Sequence, residues 1–221
     1  MSDFLALFDV DGTLVDSQGI IVATMARAFE KSDLPPPDPH RVRRLIGLSL
    51  PRMIADLAEG QSAETIGRIM ADYRLGFASA LEEQGQRPAL FPGVQEGLDA
   101  LTARGVVLGV ATGKSKRGLD RLIHEQGWED RFATLQCADF HPSKPHPSMV
   151  RTALAETDID PSRTVMIGDS VFDIDMGLAG GVVPLGVSWG YGAPEDLTAA
   201  GAAKVATTFE QLVQIILERA A

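Results

Sequence analysis

Two carboxylates stand two positions apart in Asp9-Val10-Asp11-Gly12-Thr13, directly after the apolar run FLALF at 4–8. In a tight turn leaving a buried strand both can converge on one small volume. Beside loop amides, such a volume suits a phosphate group together with a divalent cation. An Asp-Gly turn after a strand is common, so this pattern alone does not establish a site. A second pair, Asp169 and Asp173 in Gly168-Asp169-Ser170-Val171-Phe172-Asp173, follows TVMI at 164–167. Four positions apart at a helix start, the two face one way, and the helix dipole favours acids there. Capping accounts for one of them. It does not account for an apolar strand again delivering a carboxylate as it ends.

Two further groups follow the same logic. In Ala111-Thr112-Gly113-Lys114, after VVLGV at 106–110, a hydroxyl and flexible backbone precede a helix and can cradle phosphate. Capping explains Thr112 or Ser115 equally well. In Ser143-Lys144-Pro145-His146-Pro147 a lysine is set among prolines. Its ammonium can balance phosphate oxygens and packed carboxylates as a point charge, although an isolated surface lysine is the plainer reading.

The elements that must position these groups are legible as periodic stretches. Apolar runs at 4–8, 106–111, 133–137, 164–167 and 182–187 read as strands covered on both faces. Helical stretches fit between them at 94–104, 115–126, 146–156 and 171–179. This alternation predicts an α/β fold, Rossmann-like, with a mostly parallel sheet and helices on both faces. Pro184 is awkward in an interior strand and points to an edge or bend. Residues 15–85 break the rhythm with helical stretches at 19–32, 39–46, 50–58 and 62–84, too many for a crossover. An inserted all-helical cap over 15–85 is expected, with 1–14 and 86–221 forming the core. Ligands in open α/β sheets sit outside the strands' carboxyl ends. Four strands here each end in a group suited to phosphate or metal.

Composition narrows the function classes. A chain of 221 residues, 45% apolar and 23% charged, is ordinary for a folded protein. A net charge of -10 disfavours nonspecific contact with nucleic acid or anionic membrane. It does not disfavour a small anionic substrate, because a few amides, a lysine and a metal reverse the local field. Cys137 is the single cysteine, which excludes an intrachain disulfide and a cysteine metal cluster. With no basic-then-apolar leader and no apolar run of bilayer length, a cytoplasmic location is expected. Trp128, Phe132 and Phe140 are expected in the core. Trp189-Gly190-Tyr191-Gly192 either rims the pocket or simply turns the chain.

In DVDGT at 9–13, ATG at 111–113, Lys144 and GDSVFD at 168–173, the chain resembles the haloacid dehalogenase-like hydrolase superfamily, in its phosphatase branch with a helical cap. DVDGTLVDS at 9–17, FPGV at 91–94 and SKPHP at 143–147 resemble phosphoglycolate phosphatase-like members. The resemblance implies Asp9 as nucleophile, Asp11 as general acid and base, and Thr112, Gly12 and Gly113 around the phosphoryl group. It implies Lys144 as their counter-charge. It implies Mg²⁺ held by Asp9, Asp169 and the Asp11 carbonyl, with Asp173 acting from farther out or through water. The substrate class it implies is a small phosphorylated metabolite. A sugar phosphomutase or a pyrophosphatase shares these motifs, and a catalytically idle binding protein is the non-enzyme alternative. Arg41 and Arg44, in HRVRRLIG at 40–47, are candidates to meet a second anionic group, with solvated helix charge as the plainer account.

Overall fold

The computed structural model describes residues 4–83 and 88–221. Six parallel strands form the central sheet: β1 (Leu5–Phe8), β4 (Val107–Thr112), β5 (Thr134–Cys137), β6 (Thr164–Gly168), β7 (Val183–Val187) and β8 (Lys204–Ala206), in the order β5-β4-β1-β6-β7-β8. The sheet is buried on both sides, which is why its strands carry unbroken apolar runs. Alternation along β1 shows this directly. Ala6 and Phe8 lie in one hydrophobic cluster, Leu5 and Leu7 in another. The first cluster takes in α5 (Val94–Ala103), α6 (Lys116–Gln126) and α10 (Phe209–Ala220); the second takes in α7 (Ser148–Thr157) and α8 (Val171–Gly180).

Pro184 lies in an interior strand, contrary to the edge expected for it, because β7 sits between β6 and β8. Its carbonyl accepts from Ala203 N at 2.9 Å, just before the β7–β8 register begins at Leu185 and Lys204. The donor that proline lacks therefore falls where that ladder opens, which costs the sheet little. Phe140 is also corrected: it is 67% exposed, whereas Trp128 and Phe132 are buried in the expected core and stack edge-on. The sequence reading leaves most of 188–221 unassigned. There the chain adds α9 (Pro194–Ala200), β8 and α10, the last capped by Thr208 Oγ1 accepting from Gln211 N.

Between the first and second sheet strands lie α1 (Gln18–Lys31), α2 (Pro39–Leu45), α3 (Leu50–Leu57) and α4 (Ala63–Glu83). Pro39 at the first position of α2 and Pro51 at the second of α3 lie in the opening turns of these helices, where the missing amide is harmless. They share a hydrophobic cluster of their own, which includes Met25, Phe29, Val42, Ile54 and Ile69. The chain enters this block through β2 (Val15–Asp16) and leaves through β3 (Ala89–Leu90), which pair antiparallel. The boundary expected at 85–86 lies outside the described residues. Among the described residues no helix is long and apolar enough to cross a membrane.

One close approach tests the packing of the main core. A Cβ on Gly97 of α5 would lie 2.2 Å from the Phe209 ring. That ring is held between Phe8 and Trp189, at centroid distances of 6.2 and 5.9 Å, so it has little room to yield. Gly97→Ala improves helix propensity by about 1 kcal/mol, but overpacking costs about 1–3 kcal/mol. The expected net result is a lower urea midpoint; a raised midpoint would show that the ring slides freely.

Candidate active site

The strand order carries the tips of β4, β1 and β6 side by side, and each tip delivers its polar group to one place. Asp9, at the end of β1, is 1% exposed, and its backbone amide donates to Ile167 O at 2.8 Å, continuing the β1–β6 ladder. Gly12 adopts φ +92, and a Cβ there would lie 2.3 Å from Asp169 Oδ2. Both facts demand glycine. Gly168 is demanded by space alone, because a Cβ would collide with the Asp173 carboxylate.

Lys144 arrives from the opposite side on the loop between β5 and α7, through a cis Lys144–Pro145 peptide. A histidine holds the two ends of that loop together. His141 Nε2 meets Gln136 Oε1 and Nδ1 meets Ser148 Oγ, both at 2.8 Å. The Lys144 ammonium lies 2.6 Å from Asp173 Oδ1 and 2.7 Å from Asp9 Oδ1, with its side chain wholly buried. Asp9, Asp169 and Asp173 each offer an oxygen within 4.8 Å of the others. Three carboxylates against one ammonium leave excess negative charge in a dry place. Burial raises Asp9 to about 7; Lys144 opposes this, and the Asp173 and Asp11 charges add to it. Asp169 is raised by burial, then by Asp173 and Asp9. For Lys144 burial pulls the value down, and the two carboxylates more than offset it.

The lone pairs decide what else this cluster can hold. Asp173 is largely engaged: Oδ1 accepts from Lys144, and Oδ2 from Ser170 N and Oγ in a capping box at the start of α8, which leaves one lone pair on Oδ1. Asp169 Oδ2 accepts from Tyr191 N at 2.7 Å, while Thr13 Oγ1 stands 3.4 Å from its Oδ1. Asp9 differs. Its Oδ1 is ion-paired with Lys144 at 2.7 Å, and among the described residues neither of its buried oxygens is met by a well-aligned hydrogen-bond donor. Orphaned carboxylate oxygens beside uncompensated charge fit a hard divalent cation.

Asp11 stands apart from this cluster and faces the helical block. Its Oδ1 accepts from Ser17 Oγ at 2.5 Å, and Lys114 Nζ reaches its two oxygens at 2.6 and 2.9 Å. Lys114 also lies 5.8 Å from the centroid of the Phe77 ring on α4. The sequence reading quoted Lys114 and gave it no part. Its 103-residue separation from Asp11 hides the pairing. Thr112 is buried and its Oγ1 accepts from Lys114 N at 3.2 Å, leaving its hydroxyl proton to donate elsewhere.

The two glycines expected around phosphate are also required by the space they occupy. Gly12 N donates to Val15 O, so that amide is engaged within its own loop. A Cβ on Gly113 would lie 2.5 Å from Gly47 O and 2.6 Å from Leu48 O, the segment joining α2 to α3. Ser49 N donates to Ser143 Oγ at 2.9 Å beside it. The helical block thus seats on bare backbone beside the site. Neither cap arginine is drawn to the carboxylates: Arg41 donates to the Asp56 carbonyl within the block, and Arg44 is exposed. Of that run it is Arg43 that reaches back toward the first loop, donating to Gln18 Oε1 at 3.1 Å.

A family model described as "Haloacid dehalogenase-like hydrolase" matches residues 6–187. "Probable phosphatase IndB" of Dickeya dadantii is 34% identical, covering 95% of this chain and 91% of that protein. "N-acetylmuramic acid 6-phosphate phosphatase" of Pseudomonas aeruginosa is 32% identical over 97% and 94% of the two chains. "Phosphoglycolate phosphatase" of Nitrosococcus oceani is 31% identical over 87% of each. Among solved structures, a "predicted phosphatase" of Clostridium acetobutylicum superposes with a TM-score of 0.86 at 25% identity, covering 97% of this chain and 98% of that one.

The charge count sets a test that needs no turnover. Lys144→Met removes the one ammonium and leaves the carboxylates buried together, a loss of about 3–5 kcal/mol. Thermal melts should show this drop in chelator, and Mg²⁺ should restore more stability to the variant than to the parent. Equal Mg²⁺ responses would show that the excess negative charge is not felt by the cation.

Proposed function

The chain belongs to the haloacid dehalogenase-like hydrolase family, and from that premise we propose that it is a Mg²⁺-dependent phosphatase of small phosphomonoesters, working through an aspartyl-phosphate on Asp9. One observation carries the proposal: at the tip of β1 the buried Asp9 carboxylate pairs one oxygen with the Lys144 ammonium and, among the described residues, keeps the other without a donor, beside the Asp169 carboxylate. A nucleophile needs a free lone pair, and an anion attacking an anion needs cations nearby. The Asp9 and Asp169 carboxylates and the Asp11 carbonyl would hold Mg²⁺, which when bound would neutralise charge on the phosphoryl oxygens.

The chain's own residues then divide the work. An Asp9 oxygen attacks phosphorus, and the bond from phosphorus to the leaving oxygen breaks. Asp11 gives that oxygen a proton. Water then attacks the phosphorus of the aspartyl-phosphate while Asp11 takes its proton back, and the bond to Asp9 breaks to release inorganic phosphate. Lys144 steadies Asp9 and the equatorial oxygens, and Thr112 donates its hydroxyl proton to the phosphoryl group. Ser17 and Lys114 hold Asp11 in place. The block α1–α4 acts as a cap that excludes water, seating through Gly47 and Leu48 on Gly113.

The substrate class is a small organic phosphate, of the kind named for the relatives, with a phosphoglycolate-like compound or a sugar phosphate as the leading types. Phosphate release with Mg²⁺ from an aryl phosphate, and then from phosphoglycolate, sugar phosphates, nucleoside monophosphates and pyrophosphate, tests the reading. Asp9→Asn should lower turnover on the order of 10⁴-fold or more while substrate still binds. Unchanged turnover in the purified variant would remove Asp9 from the mechanism.

A further inference from the structure

The loop after β7 touches both halves of the molecule. Trp189 Nε1 donates to Thr13 O at 3.0 Å, and its ring packs with Phe209 in the main core. Two residues later the Tyr191 ring packs against the separate cluster of the helical block. The glycines between and after them are forced by proximity. A Cβ on Gly190 would lie 2.2 Å from Asp169 Cβ and 2.4 Å from Gly12 O; one on Gly192 would lie 2.1 Å from Asp169 O. This loop is therefore laid directly against the first and last catalytic loops.

Tyr191 bonds at both ends. Its backbone amide donates to Asp169 Oδ2 at 2.7 Å. Its hydroxyl accepts from Ser17 N at 2.8 Å and Gln18 N at 3.1 Å, and it is within reach of Asp16 Oδ1 and the Val15 carbonyl as acceptors. Ser17 and Gln18 stand where the chain leaves β2 and starts α1, the entry to the helical block. A serine in the cap position of a helix ordinarily offers its own oxygen to the first amides. Here the Ser17 hydroxyl is used on Asp11 and makes no cap bond, and the Tyr191 hydroxyl takes up the Ser17 and Gln18 amides at the mouth of the helix.

We propose that Tyr191 is a positioning residue that couples the entry of the helical block to the orientation of Asp169. The inference rests on the reading of Asp169 as a Mg²⁺ ligand. Tyr191 touches no reacting atom. It fixes one carboxylate oxygen by its amide, and it holds that amide in place by anchoring its ring and hydroxyl in the block. Loosening the hydroxyl end should then be felt at the cation, even though the hydroxyl contacts only the block's entry.

Tyr191→Phe keeps the ring and the amide and removes only the anchor. In the full chain without metal, amide exchange at Ser17 and Gln18 should quicken about tenfold or more, while amides of β1 keep their protection. The Mg²⁺ concentration that gives a half-maximal rise in melting temperature should increase several-fold. Parent protein with no Mg²⁺-dependent rise would sink the metal reading. A clear rise in the parent, matched by an identical Mg²⁺ response in Tyr191→Phe, would sink the coupling alone. Loss of protection in β1 would show general unfolding and likewise count against it. As a second readout, kcat for an aryl phosphate at saturating Mg²⁺ should recover toward the parent value; a deficit that Mg²⁺ cannot relieve would overturn the proposal.

Discussion

A buried ammonium between two buried carboxylates governs this molecule. Lys144 sits between Asp9 and Asp173 with none of the three side chains open to solvent beyond a trace. Such a cluster is costly to assemble, because each charge forfeits its hydration and the single cation does not balance the acids around it. The fold accepts that cost at the ends of its central strands, over a largely apolar sheet. The hydrogen-bonded oxygens of Asp173 and the less engaged ones of Asp9 divide the cluster into a supporting part and a more open part. That division follows from hydrogen bonding before any substrate or metal is considered.

The second carboxylate of the first loop lives under different rules. Asp11 is in contact with Ser17, Lys114 and, through Lys114, the Phe77 ring of the helical block. Its neighbours come from the linker, the β4 loop and the block, whereas those of Asp9 come from the core alone. The separation of these two environments across two residues is a direct product of the tight turn at Gly12.

Much of this was legible in the chain. The parallel sheet could be read because its strands are apolar runs of four to six residues and each inner one stops at a polar group. Asp9, Asp169, Asp173 and Lys144 meet because the strand order sets those stops side by side. What escaped reading depends on contacts between distant parts. Tyr191 and Ser17 lie 174 positions apart, and nothing local marks either as a partner of the other. No local pattern marks His141, yet it ties β5 to α7 around Lys144. The edge strand β8 is three residues long, too short for periodicity to show.

The paired strands β2 and β3 have a topological consequence. Because Val15 lies opposite Leu90, the two crossings into and out of the helical block form a single doorway. Whatever is spliced between those residues enters and exits at one point and leaves the register of the six-stranded sheet untouched. Closing a longer or shorter insert there changes the loop entropy only slowly with length. The six-stranded scaffold and the Asp9–Lys144–Asp173 cluster can therefore stay as they are while the insert varies, as with interchangeable heads on one handle, provided each head restores contacts such as Ser17 to Asp11.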